Sequence, residues 1–156
     1  MKIPIVNEND EIIEYKERGD RNPKDKIRAT GLWLTDNMGN ILIAQRALAK
    51  KDCPGLWGPA VAGTVEEGET YEENIIKEAE EEIGLQNLVP QLGPKVKTNT
   101  TFGQWFTAVV DHNYPFKKLD EEVEAIKWIS RKELDGLVEE KPEIFMNYFS
   151  DYKKYF

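Results

Sequence analysis

The sequence predicts an α/β protein in which a mixed β-sheet lies between helices. Three observations carry that expectation. Two stretches of alternating apolar residues, each doubling back at a turn, read as β-hairpins. Between them lies one amphipathic helix with its own start and stop signals. Two further helical segments close the chain. Strands that bracket a central helix, with helices at the end, suit a sheet covered on both faces.

In chain order, Ile3–Val6 and Glu11–Tyr15 are short strands around the polar turn Asn7–Asp10, a small hairpin ahead of the main body. Arg18–Lys26 is a charged linker. Ile27–Thr35 is an apolar strand, and Asp36-Asn37-Met38-Gly39-Asn40 turns it back into Ile41–Gln45. Arg46–Lys51 is a basic exit, and Pro54-Gly55 makes a turn. Trp57–Ala62 leads into a loop opened by Gly63 and turned by Gly68. Thr70 followed by Glu73 is a capping box, so the central helix begins at Thr70. Gly84 is its natural stop. Ile75, Ile76, Ala79 and Ile83 recur at helical spacing and form its buried stripe.

Beyond the helix, Val96–Thr101 and Gln104–Val110 alternate as a second hairpin around Phe102-Gly103. Val123–Ile129 is another strand. Ser130 with Glu133 is a second capping box, opening a short helix near Arg131–Leu137. Pro142 suits the first position of a last helix running to about Tyr155. Its apolar face is Ile144, Phe145, Tyr148, Phe149 and Tyr152.

At 156 residues the chain is most simply one domain, with residues 1–26 as an N-terminal hairpin and linker. No apolar run approaches the ~20 residues of a membrane span, and the N-terminus lacks the apolar core of a signal peptide. One cysteine, Cys53, excludes an internal disulfide and a cysteine-based zinc cluster, so a reducing cytoplasm is the expected location. A net charge of −8 argues against nucleic acid and anionic membranes as partners.

The charge is concentrated in one place. Nine of the seventeen residues from Glu66 to Glu82 are glutamate, and only Lys77 is basic. Like charges at i,i+4 repel by a few tenths of a kcal/mol per pair. The pattern makes sense if a cation sits on the helix, and carboxylate oxygens are the ligands that Mg²⁺ prefers. At ~100° per residue, Glu78, Glu81 and Glu82 share one arc on the shoulder of the buried stripe. Glu72, Glu73 and Glu80 point elsewhere, toward solvent. A bound metal also reconciles an acidic chain with a phosphate-bearing substrate, because it is the largest local charge in its site.

The order of these residues resembles the Nudix box, G-x5-E-x7-R-E-U-x-E-E-x-G-U, in which U is a bulky aliphatic residue. Gly63, Glu69, Glu78, Glu81, Glu82, Gly84 and Leu85 all match. Ala79 is small where a bulkier residue is usual, and Lys77 stands where the box has arginine. The resemblance implies the Nudix fold, an α/β/α sandwich. It also implies metal-dependent hydrolysis, with Mg²⁺ or Mn²⁺, of a nucleoside diphosphate linked to another group, such as a nucleoside di- or triphosphate or a nucleotide sugar.

It further implies roles. Glu78 and Glu82 are the first-choice metal ligands, with Glu81 a third ligand or the base through a water. The backbone carbonyl of Gly63 and a later carboxylate, Glu122 in Asp120-Glu121-Glu122-Val123, are the further ligands expected. Lys77 takes the place of an arginine that orients the carboxylates by pairing with Glu69. A homodimer is also plausible on family resemblance, through the N-terminal strands or the aromatic last helix.

The run Arg46-Ala47-Leu48-Ala49-Lys50-Lys51-Asp52-Cys53-Pro54-Gly55-Leu56-Trp57 is similar to the stretch before the box in isopentenyl diphosphate isomerase and its Nudix relatives. By that resemblance Arg46 and Lys50 grip the diphosphate, and a fork-shaped arginine suits phosphate. The isomerase reaction itself is disfavoured. Ala62 and Thr64 occupy the places of its catalytic cysteine and adjacent histidine, and no Asp or Glu occurs from Ile83 to Val110. His112, the single histidine, reads as a surface residue.

Trp33, Trp57, Trp105, Phe102 and Phe106 are the candidates for stacking on a nucleobase. Trp105 and Phe102, beside the expected hairpin turn, lead among them. Gln104 and Asn99 could read a base edge. A nucleotide-binding module of weak activity is the non-enzymatic alternative. Lys77 favours it, and the intact Glu78, Glu81 and Glu82 oppose it.

Lysine keeps the charge of arginine but loses its bidentate fork. Lys77→Arg is therefore expected to keep or raise turnover in a steady-state assay. A large loss in that variant would sink the ion-pair account of position 77.

Overall fold

The computed structural model describes residues 1–156. Strands β1 (Lys2–Val6) and β2 (Ile12–Glu17) pair antiparallel as a separate two-stranded sheet. The Asn7 side chain makes the turn between them by accepting the backbone amides of Asn9 and Glu11. The main sheet has seven strands: β3 (Ile27–Thr35), β4 (Ile41–Arg46), β5 (Trp57–Pro59), β6 (Val61–Thr64), β7 (Gln91–Lys97), β8 (Thr101–Val109) and β9 (Val123–Ile129). Helix α1 spans Tyr71–Ile83, α2 Arg131–Glu140 and the short α3 Asn147–Ser150.

Alternation along the strands decides which face each side chain enters. Leu32, Leu34 and Leu42 point to one face, where they bury Ile75, Ala79 and Ile83 of α1. Trp33, Ile41 and Ile43 point to the other, against Leu134 of α2 and Phe145, Phe149 and Tyr152 near the C-terminus. Two cores on the two faces of one mixed sheet make an α/β/α sandwich.

The sheet is joined differently from the local hairpin pattern. β3 and β4 touch as a pair only at Thr35↔Ile41, next to their turn. Away from it they diverge, and β5 and β6 fill the wedge. β5 pairs antiparallel with β4, while β6 pairs antiparallel with β3 from Ala29↔Thr64 to Leu32↔Val61. On its other side β3 runs parallel to β8 over its whole length, from Ile27↔Thr101 to Thr35↔Val109. β9 closes the far side of β4.

Three expectations need correction. Gly63 lies inside β6 rather than opening a loop. The second hairpin turns at Thr98–Thr100 and not at Phe102-Gly103, because the parallel pairing with β3 draws both of those residues into β8. The last helix is broken. Phe145 is extended, its neighbour Met146 donates its backbone amide to the Trp57 carbonyl at 2.9 Å, and only α3 is α-helical beyond that point. A pairing to the edge of β5 has outcompeted the helical periodicity of Pro142–Tyr155.

Helix α1 follows its signals closely. Thr70 accepts the amide of Glu73 and Glu73 reaches back to the amide of Thr70, so both halves of the capping box form. Gly84 ends the helix at φ 67°, a left-handed conformation that suits glycine. Removing the cap hydroxyl in Thr70→Ala is expected to cost about 1 kcal/mol. That corresponds to a fall of about 2–4 °C in Tm, readable by thermal melting.

Candidate functional site

The site is built where α1 crosses β6. Gly63 faces the helix, and a Cβ there would lie 2.6 Å from Cγ of Glu78 and 2.8 Å from Oδ1 of Asn74. Only a residue without a side chain lets helix and strand approach this closely. Asn74 fixes the approach. Its amide donates to the Thr64 carbonyl at 3.0 Å and to Glu69 at 3.1 Å, and its oxygen accepts from the Thr30 hydroxyl at 2.6 Å.

The loop ahead of the helix is tied down by one cation. Lys77 Nζ lies 2.6 Å from Glu69 Oε2, 3.1 Å from Glu66 Oε2 and 3.8 Å from Glu78 Oε1. Glu69 also accepts the Glu66 amide at 2.8 Å. Burial alone would raise the Glu69 carboxyl, but Lys77, the Glu66 amide and Asn74 outweigh it and hold the group below its usual range. Lys77 is held above its usual range: burial opposes this, and Glu69 and Glu66 overcome it.

Glu78 and Glu82, one turn apart, are not compensated in this way. Burial pushes Glu78 up to about 7. Lys77 opposes the shift, and Glu81, Glu66 and Glu69 add to it. Burial pushes Glu82 up to about 8. Glu78 and Glu122 add repulsion that the Ala62 amide and Arg46 offset only in part. Glu81 is exposed on the outer shoulder of the same arc. As they stand, no three acidic, cysteine or histidine side chains converge tightly enough to cage an ion.

A cleft opens beside Glu82, lined by Gln45 and Arg46 of β4, Ala62 of β6, Glu122, Met146 and Tyr148. Of the two basic groups expected to meet phosphate, Arg46 lines it, and Lys50 is joined to its lining residue Glu122. Arg46 donates through Nε to the Asp52 carbonyl at 2.8 Å, and Lys50 Nζ lies 2.8 Å from Glu122 Oε2. One expected phosphate-gripping residue, Lys50, is thus paired with one expected metal ligand, Glu122, while Arg46 is held by backbone.

The expected stacking residues lie elsewhere. Trp105 and Phe102 are buried at 5% and 7% exposure. Phe102 is covered by Lys26, Lys95 and Lys97 at 5.4–5.7 Å from its ring centre, and Trp105 packs in the core against the C-terminal aromatics. Neither offers a free face to a base. Trp33 and Phe106 are core residues too, and Trp57 carries Lys127 over its ring. Gln104 is committed to the carbonyls of Gly93 and Trp105. His112 buttresses the β3–β4 turn through Asp36, at 2.6 Å.

Asn74, Thr30, Glu66 and Tyr148 were not singled out by their types. One signal was available for Asn74: a polar residue on the buried side of an amphipathic helix needs a hydrogen-bonding reason to be there.

A family model described as the NUDIX domain matches residues 25–148. The Nudix hydrolase YfcD of Escherichia coli is 31% identical over 144 residues, covering 88% of this chain and 78% of YfcD. An isopentenyl-diphosphate Delta-isomerase of Corynebacterium diphtheriae is 27% identical over 130 residues, covering 75% of this chain and 70% of that one. Among solved structures, DR0079 of Deinococcus radiodurans superposes with a TM-score of 0.79 at 22% identity, over 90% of both chains.

Carboxyls raised in the folded state favour folding when protonated. Their stabilising share is complete below the unfolded value of 4.5 and is lost as pH rises through about 7 and 8. Metal-free protein should therefore melt at lower temperature at pH 8.5 than at pH 5.5. Glu82→Gln should flatten that dependence and raise Tm at pH 8.5 in chelator. An unchanged pH dependence of Tm in the variant would contradict the desolvated state of Glu82.

Proposed function

The chain belongs to the Nudix hydrolase family and is an enzyme acting on pyrophosphate bonds; on that premise we propose that its substrate is a nucleoside diphosphate linked to a second group, and that Mg²⁺ or Mn²⁺ serves the reaction. The observation that carries this reading is the pair Glu78 and Glu82, desolvated against β6 and short of positive charge. A hard divalent cation fits such a donor set, which is all oxygen and carries more negative charge than Lys77 can balance. When bound, it would neutralise charge on the bridging oxygens and lower the pKa of the attacking water.

The chain's own residues divide the remaining work. Glu78 and Glu82, with the carbonyl of Gly63, would hold the ion. Glu81, free at the outer edge, would be the third ligand or take the proton of the attacking water. Glu122 would be a further ligand, with Lys50 then free to meet phosphate. Arg46 and Lys50 orient the diphosphate across the cleft, where a guanidinium can engage two oxygens at once. Lys77 and Glu69 fix the loop before α1 and so keep the carboxylates in register. A cytoplasmic location belongs to the same proposal, on the evidence of a lone exposed thiol, Cys53.

The isomerase-like relative draws attention to proton transfer, but the chemistry here lacks its parts. β6 offers Ala62 and Thr64 in place of a thiol and an imidazole, and β7 and β8 carry no carboxylate. A pure binding module would have no use for two carboxylates held against their own repulsion.

A panel of nucleoside di- and triphosphates, nucleotide sugars and dinucleotides with Mg²⁺ or Mn²⁺ tests the proposal. At least one is expected to release phosphate or a mononucleotide, and Glu82→Gln is expected to slow that release roughly a hundredfold or more. Folded wild-type protein that turns over none of them would favour the binding module instead.

A further inference from the structure

Tyr148 is the one aromatic side chain that the fold delivers to the cleft with its surface open. It sits on α3, 48% exposed, while the next residue, Phe149, is fully buried. Its ring leans on Trp105, with centroids 6.3 Å apart and planes at 40°. Trp105 cannot give way, because the chain closes on it at Gly31 and Gly93. A Cβ at Gly31 would come within 2.8 Å of the indole, and one at Gly93 within 2.9 Å of the Trp105 carbonyl. The seat of the tyrosine is therefore rigid although its outer half is wet.

The hydroxyl is a donor in waiting. Those of Tyr71, Tyr114 and Tyr152 are committed to Asp10, Gly84 and Asp135. The Tyr148 hydroxyl has no hydrogen-bond partner in the chain, and Arg46, Glu82 and Glu122 line the same cleft. Burial holds the phenol above its usual range, with Glu82 adding to the shift and Arg46 opposing it, so the hydroxyl stays protonated. A neutral donor thus shares the cleft with a guanidinium and two carboxylates, where a diphosphate would lie.

We infer that Tyr148 is a further substrate contact, its hydroxyl donating to a non-bridging oxygen of the diphosphate that Arg46 also grips. The inference rests on reading the cleft as a pyrophosphate site. It assigns Tyr148 to the phosphates rather than to the group beyond them, because the ring is backed by Trp105 and the cleft it lines also holds Arg46, Glu82 and Glu122. A contact of this kind holds substrate and transition state alike, so its loss raises KM and spares kcat.

The test uses methylenediphosphonate with Mg²⁺, a diphosphate that cannot be hydrolysed, in a calorimetric titration of the full chain. Tyr148→Phe keeps the ring on Trp105 and removes only the donor, so its Tm should match the wild type. Its Kd for the probe should rise roughly tenfold, the ordinary effect of one hydrogen bond to a charged oxygen. Tyr15→Phe, on the remote hairpin, should leave Kd unchanged. For any substrate turned over, Tyr148→Phe should raise KM by a similar factor with kcat within about twofold. A Kd unchanged by Tyr148→Phe overturns the inference, and so does a wild type that fails to bind the probe. Protein that binds the probe, loses affinity on Tyr148→Phe and yet hydrolyses nothing would overturn the hydrolase reading and leave the contact standing.

Discussion

The close approach of α1 to β6 at Gly63 is the constraint on which the rest of the site depends. With no Cβ in the way, Glu78 packs its methylenes against the strand and Asn74 reaches the Thr64 carbonyl. That contact sets the rotation of the helix. Rotation in turn decides that Ile75, Ala79 and Ile83 face the core and that Glu78 and Glu82 lie on its border, largely withdrawn from water. Burial then does the electrostatic work. Carboxylates that would be unremarkable on an open helix are raised to about 7 and 8 because the strand removes their water.

The wedge in the sheet supplies the opposite wall. Because β3 and β4 part beyond Thr35↔Ile41, the segment Trp57–Thr64 can leave β4 and join β3 midway. Its β6 half carries Gly63 and Ala62 under the helix, while its β5 half stays beside β4, whose last residue is Arg46. One strand that changes neighbours therefore brings the acidic helix and the basic strand end to the same cleft. The pairing of Phe145 and Met146 to β5 extends the arrangement, since it breaks the last helix where Tyr148 can turn toward that opening.

What could be read in the chain was the local part. The capping box at Thr70, the stop at Gly84, the bounds of β3 and the whole of β9 follow from residues within a few positions of one another. The acidic arc was legible because a helix converts spacing into geometry directly, whereas the Lys77–Glu69 pairing was expected from the family resemblance alone, since Glu69 precedes the helix. The hairpin turn near Thr98, the wedge and the broken last helix were not. Each is decided by a backbone partner far away in sequence: β3 for β8, β6 for β3, and Trp57 for Met146. The aromatic residues failed for the same reason. Trp105 reads as a leading stacking candidate and Tyr148 as part of an apolar helix face, and only the sheet register and the break before α3 decide that the first is buried while the second is half exposed.

The lysine at position 77 is best understood as a shared charge. An arginine there would commit its planar fork to one carboxylate. Lysine is a compact ammonium with three donors, and it sits 2.6 Å from Glu69, 3.1 Å from Glu66 and 3.8 Å from Glu78, serving the loop closely and the helix only at the edge of its reach. One positive charge spread over three carboxylates cannot also answer Glu82 or Glu81. The arrangement secures the loop between β6 and α1 and leaves the outer edge of α1 electrically open. The remaining deficit of positive charge lies at Glu78 and Glu82, beside Arg46 and the mouth of the cleft, and it is met by protons when no cation is there to replace them.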